Sequence, residues 1–152
     1  MSTGLSKKGF SVACLNSLAY FWSKKTPGTA ARDLDRIINH YLTRWDKNKV
    51  WLTGVALISP SLHSDFEISI SSWRGNSKRE PKYPLLPELT KSEAYPVLCL
   101  AGDDDDDDCL CKNLNLTGVK SVLLPGGHHL GGDYDRLVDT LVLGLEKQRG
   151  KL

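Results

Sequence analysis

The sequence predicts an α/β domain, a mostly parallel sheet flanked by helices. Three observations lead there. Apolar runs of strand length recur at residues 9–15, 49–59, 96–101 and 119–124. Two stretches carry apolar residues at spacings of three and four, the signature of an amphipathic helix. The last two strand-like runs each end in glycine and polar residues, as expected at the carboxyl ends of parallel strands, where ligands collect.

The elements follow in order. Gly9-Phe-Ser-Val-Ala-Cys-Leu15 reads as a buried strand, and Asn16 to Ser23 as a loop rich in aromatics. Thr26 then supplies a helix cap and Pro27 is tolerated in the first turn. The helix carries its stripe on Ala30, Ala31, Leu34, Ile37, Ile38, Tyr41, Leu42 and Trp45. Residues 61–80 hold an alternating strand (Phe66, Ile68, Ile70) and then a polar loop, while residues 82–89 are broken by proline and read as irregular. Residues 96–101 and 119–124 are buried strands. A closing helix presents Tyr134, Leu137, Val138, Leu141, Val142 and Leu145 on one stripe. No repeat or linker divides the chain, so residues 1–152 read as a single domain.

Composition narrows the function classes. Hydrophobic residues at 40% and charged residues at 25% are ordinary for a soluble globular protein. The apolar runs are far too short to span a bilayer. The opening MSTGLSKKGF has no apolar run to serve as a signal-peptide core, which points to the cytoplasm if Met1 is the true N-terminus. The net charge of +2 hides an asymmetry, with nine Lys or Arg against three acids in residues 1–50 and six consecutive Asp at 103–108. The basic residues are scattered rather than clustered with aromatics, so no nucleic-acid partner is expected. Cys14, Cys99, Cys109 and Cys111 do not make a disulfide framework in a chain of this size. Cys14 and Cys99 read as small buried hydrophobes, and Cys109-Leu-Cys111 is too closely spaced for a usual zinc pair.

The stretch Lys49-Val-Trp-Leu-Thr-Gly-Val-Ala-Leu-Ile-Ser59 poses a problem for this fold. Parallel neighbours need a crossover of about a dozen residues or more, and a hairpin needs about two. Gly54 alone provides neither. Either the run is one strand kinked at Gly54, or a segment is missing there.

Two loops stand at the address where chemistry collects. Gly102 and the Asp run lead to Cys109-Leu-Cys111 after one strand. Gly126-Gly-His-His-Leu-Gly-Gly-Asp133 follows the next. An acid after one strand and a histidine after the following one match the second and third members of a Ser–acid–His triad in hydrolase order. The acid holds the imidazole in the right tautomer, and the imidazole takes the nucleophile's proton. Against this stand plainer readings, a solvated acidic loop that collects cations and a solvated His-His turn.

The chain resembles the bacterial virulence VirJ/AcvB family, an α/β-hydrolase-like group. The resemblance lies in Ser17-Leu-Ala-Tyr-Phe-Trp-Ser23 with Thr26-Pro27, Asp33-Leu34, Val55-Ala-Leu-Ile-Ser-Pro-Ser61, Asp65-Phe-Glu-Ile-Ser69, Trp73 and Leu86-Pro87. It continues in Gly102 with the acidic run ending Asp108-Cys-Leu-Cys111 and in Pro125-Gly-Gly-His-His-Leu-Gly-Gly-Asp-Tyr134. It implies a serine ester hydrolase acting on aminoacyl, chiefly lysyl, esters of phosphatidylglycerol, a periplasmic setting, and links to virulence and type IV secretion. It implies no cofactor. Carried onto this chain, the acid matches Asp108, with Asp107 as fallback. The histidine matches His128, with His129 as fallback. Asp65 and Glu67 are candidate partners for a lysyl ammonium.

Two parts of the family pattern are absent. In relatives, the strand matching Lys49 to Thr53 runs into a G-x-S-x-G nucleophile elbow and its helix. Here Gly54 is followed at once by Val55, and no G-x-S-x-G occurs in the chain. The family's first strand and its glycine-rich oxyanion turn are expected before residue 1. Residues 1–8 read as the end of the following helix. The expectation is therefore a partial α/β-hydrolase-like fold without its first strand and nucleophile-elbow helix, and without ester hydrolysis. Ser59 and Ser61 end the wrong strand for a substitute nucleophile. Loss of the elbow helix should expose Val50, Leu52, Leu57 and Ile58. The alternatives are a non-catalytic partner of an envelope or secretion-machinery protein, and a metal-binding module built from His128, His129, Asp133 and the Asp run.

Overall fold

The computed structural model describes residues 1–50, 52, 54–67, 83–91 and 95–149. The chain forms two compact units, one of residues 1–12, 52–63 and 84–152, the other of residues 13–51 and 64–83.

The first unit is built on a three-stranded parallel sheet of β1 (Val55–Ile58), β4 (Val97–Gly102) and β5 (Val119–Leu124), in the order β1-β4-β5. Val55 pairs with Val97 and Val97 with Val119, so the strands run in step. β4 is buried along its whole length because it is central and covered on both faces, as the continuous apolar run predicts. Alternation along the strand divides its side chains. Leu98 and Leu100 face α5 (Tyr134–Arg149), meeting Leu137 and Leu141 in one core cluster with Leu124 and Leu130. Cys99 and Ala101 point the other way, into a second cluster with Cys109 and Cys111. Helix α1 (Ser2–Lys7) packs on α5, with Gly4 against Val138 and Lys8 paired to Asp139 at 2.7 Å.

The second unit holds α2 (Ser17–Tyr20) and α3 (Pro27–Arg44). Asn16 caps α2 by accepting from the Ala19 amide at 3.0 Å, and Thr26 caps α3 by accepting from the Thr29 amide at 3.1 Å. The Tyr20 hydroxyl ties the two helices by donating to Asp33 at 2.7 Å. Phe66 stacks edge-on against both Phe21 and Tyr83. The apolar stripe of α3 lines an open groove of about 480 Å³ with Leu15 and Val50, and none of its 18 residues is buried. The short strands β2 (His63–Ser64) and β3 (Tyr83–Pro84) form a two-stranded sheet of their own.

Several segments fold differently from the sequence expectation. Residues 10–15 form no strand, and the boundary between the units falls inside the expected run, after Val12. A strand exists only where a neighbour completes its hydrogen bonds, and among the described residues none pairs with this one. Cys14 is exposed rather than buried. Lys49, Val50 and Leu52 also lie outside any strand, with Val50 56% and Leu52 54% exposed; Trp51 and Thr53 are outside the described residues. Residues 82–89 are not irregular throughout, since α4 (Leu86–Lys91) is a helix. Pro87 stands in its first turn, where its missing N–H costs nothing. Cys99 is not a simple buried thiol but is disulfide-bonded to Cys111. Ile68 and Ile70 of the expected alternating strand lie outside the described residues, as does Trp73.

Candidate active site

The loops after β4 and β5 meet at the carboxyl end of the sheet. The Asp103 amide donates to the Leu124 carbonyl at 2.8 Å and the Asp104 amide to the Gly126 carbonyl at 3.1 Å. Asp103 accepts in return from the Gly126 amide at 2.9 Å. The His-His loop turns back through Leu130, Gly131 and Gly132, all at positive φ. A left-handed conformation suits the two glycines. Leu130 is held in it by burial in the core beside Leu98 and Leu137. Asp133, a candidate metal ligand by sequence, instead caps α5 by accepting from the Arg136 amide at 3.0 Å.

This packing brings His128 to one member of the Asp run. His128 Nδ1 lies 3.3 Å from Asp105 Oδ1. The Asp105 side chain is 1% exposed and that of His128 61% exposed. The arrangement therefore joins a buried carboxylate to a ring open to solvent. Asp105 Oδ1 also accepts from the Asp106 amide at 2.9 Å, and Lys112 Nζ reaches the Asp105 carbonyl at 2.6 Å. Burial pushes the Asp105 carboxyl upward, but the polar influence of the Ser59 side chain, the Asp106 amide and His128 outweighs it. The carboxyl is held below its ordinary value. Cys109, a buried free thiol, is pushed up by burial, with the charge of Asp105 adding to the effect.

Asp108, the acid carried over from the resemblance, is not the residue that meets His128. Its side chain is exposed and its carbonyl accepts from the Leu62 amide at 3.0 Å. Asp107 is exposed as well, and so is His129, whose ring sits edge-on to His128 at 5.9 Å. Asp105, the aspartate that meets His128 instead, is the third residue after Gly102, and its amide turns back to the Gly102 carbonyl at 3.3 Å. Distance from the end of the strand was the usable signal, rather than nearness to Cys109. Asp65 is exposed and Glu67 half-buried, both in the second unit. Among the described residues, no three His, Cys, Asp or Glu side chains converge as a metal site.

The acid and histidine of a triad can hold and relay a proton, but they need a nucleophile to activate. Ser59 directly follows β1 at 7% exposure, and its side chain acts on the Asp105 carboxyl. Among the described residues, no helix is long and apolar enough to cross a membrane.

The chain matches the family model described as bacterial virulence protein (VirJ). The match falls in two pieces, residues 1–58 and 52–149, which overlap around Gly54. No curated protein and no solved structure matches the chain.

Proposed function

The chain belongs to the bacterial virulence protein (VirJ) family, and from that premise we propose that it carries the acid–histidine half of an ester hydrolase without the nucleophile. One observation carries the reading: the 3.3 Å approach of His128 Nδ1 to Asp105 Oδ1 where the parallel strands β4 and β5 end. Asp105 holds the proton on Nδ1, leaving Nε2 to take a proton from a serine hydroxyl. The break of the family match around Gly54 and the absence of G-x-S-x-G support an internal loss of the elbow. Even one missing oxyanion donor costs about 3 kcal/mol in barrier. The chain alone therefore does not turn over ester.

The substrate class proposed for the complete site is an aminoacyl, chiefly lysyl, ester of phosphatidylglycerol. The setting proposed is the periplasm, which the Cys99–Cys111 disulfide supports, because such bonds persist in oxidising compartments. The test is release of lysine from lysyl-phosphatidylglycerol. This chain should release none. An intact family member should lose activity when the residue matching Asp105 or His128 is replaced, and keep it when the match to Asp108 is replaced. Dependence on Asp108 instead of Asp105 would sink the assignment.

A second reading, a non-catalytic binding role toward an envelope or secretion-machinery protein, is favoured by α3, whose apolar stripe lines an open groove. A folded Leu34→Glu variant should then lose partner capture from an envelope fraction. Unchanged capture would remove this reading.

A further inference from the structure

Asp105 has two carboxylate oxygens, and only one is accounted for. Oδ1 accepts from the Asp106 amide and faces His128. Oδ2 is buried and, among the described residues, has no hydrogen-bond partner. The Ser59 hydroxyl is a second buried polar group in the same condition. Ser59 acts on the Asp105 carboxyl; each group is costly to leave unpaired, and one hydroxyl donation would satisfy both.

The backbone around Ser59 is built to hold it there. Its amide donates to the Leu100 carbonyl at 2.7 Å, next to the strand end that launches the acid loop. Leu110 donates to the Pro60 carbonyl at 2.8 Å, and Ser61 bridges Cys109. Ser59 itself sits at φ +42°, an uncommon conformation for a residue other than glycine. Strain of this kind persists where the surroundings impose it.

We propose that Ser59 is a positioning residue, whose Oγ donates to Asp105 Oδ2 and fixes the carboxylate so that Oδ1 meets His128 Nδ1. This rests on the reading of Asp105 and His128 as an acid–base pair. Ser59 is thereby a support for the acid and not a replacement nucleophile. The lowered proton affinity of Asp105, to which Ser59 contributes, agrees with this placement. The other groups facing the carboxylate are the Cys109 thiol, the His128 ring and the Asp106 amide. Lys112 engages the Asp105 carbonyl, and Asp103 is occupied by the Gly126 amide.

The test uses carboxyl carbon NMR titration of Asp105 and ring nitrogen shifts of His128 in the whole chain. Ser59→Ala removes the donor. Ser59→Gly removes it and also relieves the positive φ, so it remains informative if the alanine variant fails to fold. Loss of the donor should raise the Asp105 midpoint by about one pH unit, roughly tenfold in proton affinity, in each folded variant. An unmoved midpoint in either, or a shift with glycine but not alanine, would overturn the proposal. Asp105→Asn is the separate control: it should shift the His128 ring away from the Nδ1–H tautomer. An unchanged tautomer would mean that the acid–base pair itself is wrong. A shifted tautomer with an unmoved Asp105 midpoint in the serine variants would sink only the role of Ser59.

Discussion

Gly102 and Gly126 lie so close that a β-carbon on Gly102 would overlap the Gly126 carbonyl oxygen. The obstacle is backbone, which cannot swing aside as a flexible side chain would. The loop that carries Asp105 and the loop that carries His128 are thus in register because nothing stands between them. Gly102→Ala should destabilise the first unit by about 1–3 kcal/mol, as overpacking does. It should also weaken the His128–Asp105 contact. Denaturant unfolding gives the first quantity and His128 ring nitrogen shifts the second; wild-type values for both would remove the close approach as the alignment device.

The Asp105 carboxyl titrates below its ordinary value of 3.8 in the folded chain. Its stabilising contribution is therefore fully present above that ordinary value. It is lost as pH falls through the lower, folded value. Wild type should unfold at higher denaturant than Asp105→Asn at neutral pH, and the gap should narrow as pH falls below 3.8. Parallel curves across the acid range would contradict the depressed value.

The disulfide joins Cys99 on β4 to Cys111 in the acid loop, a sequence separation of 12. Closing a loop of that length contributes about 3 kcal/mol by chain entropy. Replacing both cysteines by alanine, or adding reductant, should lower the melting temperature accordingly. Native alkylation should reach exposed Cys14 and spare buried Cys109 until the chain unfolds. Rapid modification of Cys109 in the oxidised chain would contradict its burial.

Much of the frame was legible because periodicity and burial follow local rules. The stripe from Ala30 to Trp45, the second half of the run at 49–59, the runs at 96–101 and 119–124, and the closing helix are present within a few residues of the expected bounds. The run at 9–15 was misread because a strand depends on a partner that its own residues do not reveal. Which aspartate meets His128 was not legible, because six identical aspartates carry no side-chain distinction and the turn after Gly102 decides which of them faces inward. The Cys99–Cys111 pairing follows from three-dimensional proximity, not spacing.

Val50 and Leu52, expected to lose their cover with the elbow helix, are 56% and 54% exposed, while Leu57 and Ile58 stay partly buried. Burying one such side chain contributes about 1.5–3 kcal/mol, enough to favour self-association at high concentration. Val50→Lys or Leu52→Lys should weaken that association by roughly tenfold or more. Sedimentation equilibrium measures it, and a monomer in wild type at all concentrations would contradict the expectation.

On the proposed reading, Asp105 and His128 are in place with no serine for them to activate. Labelling the folded chain with a fluorophosphonate, followed by peptide mapping, tests it most directly, because only an activated serine reacts. No serine should be labelled under conditions where an intact family member is labelled. A covalent adduct on Ser59, or on any other serine of this chain, would contradict the proposed reading.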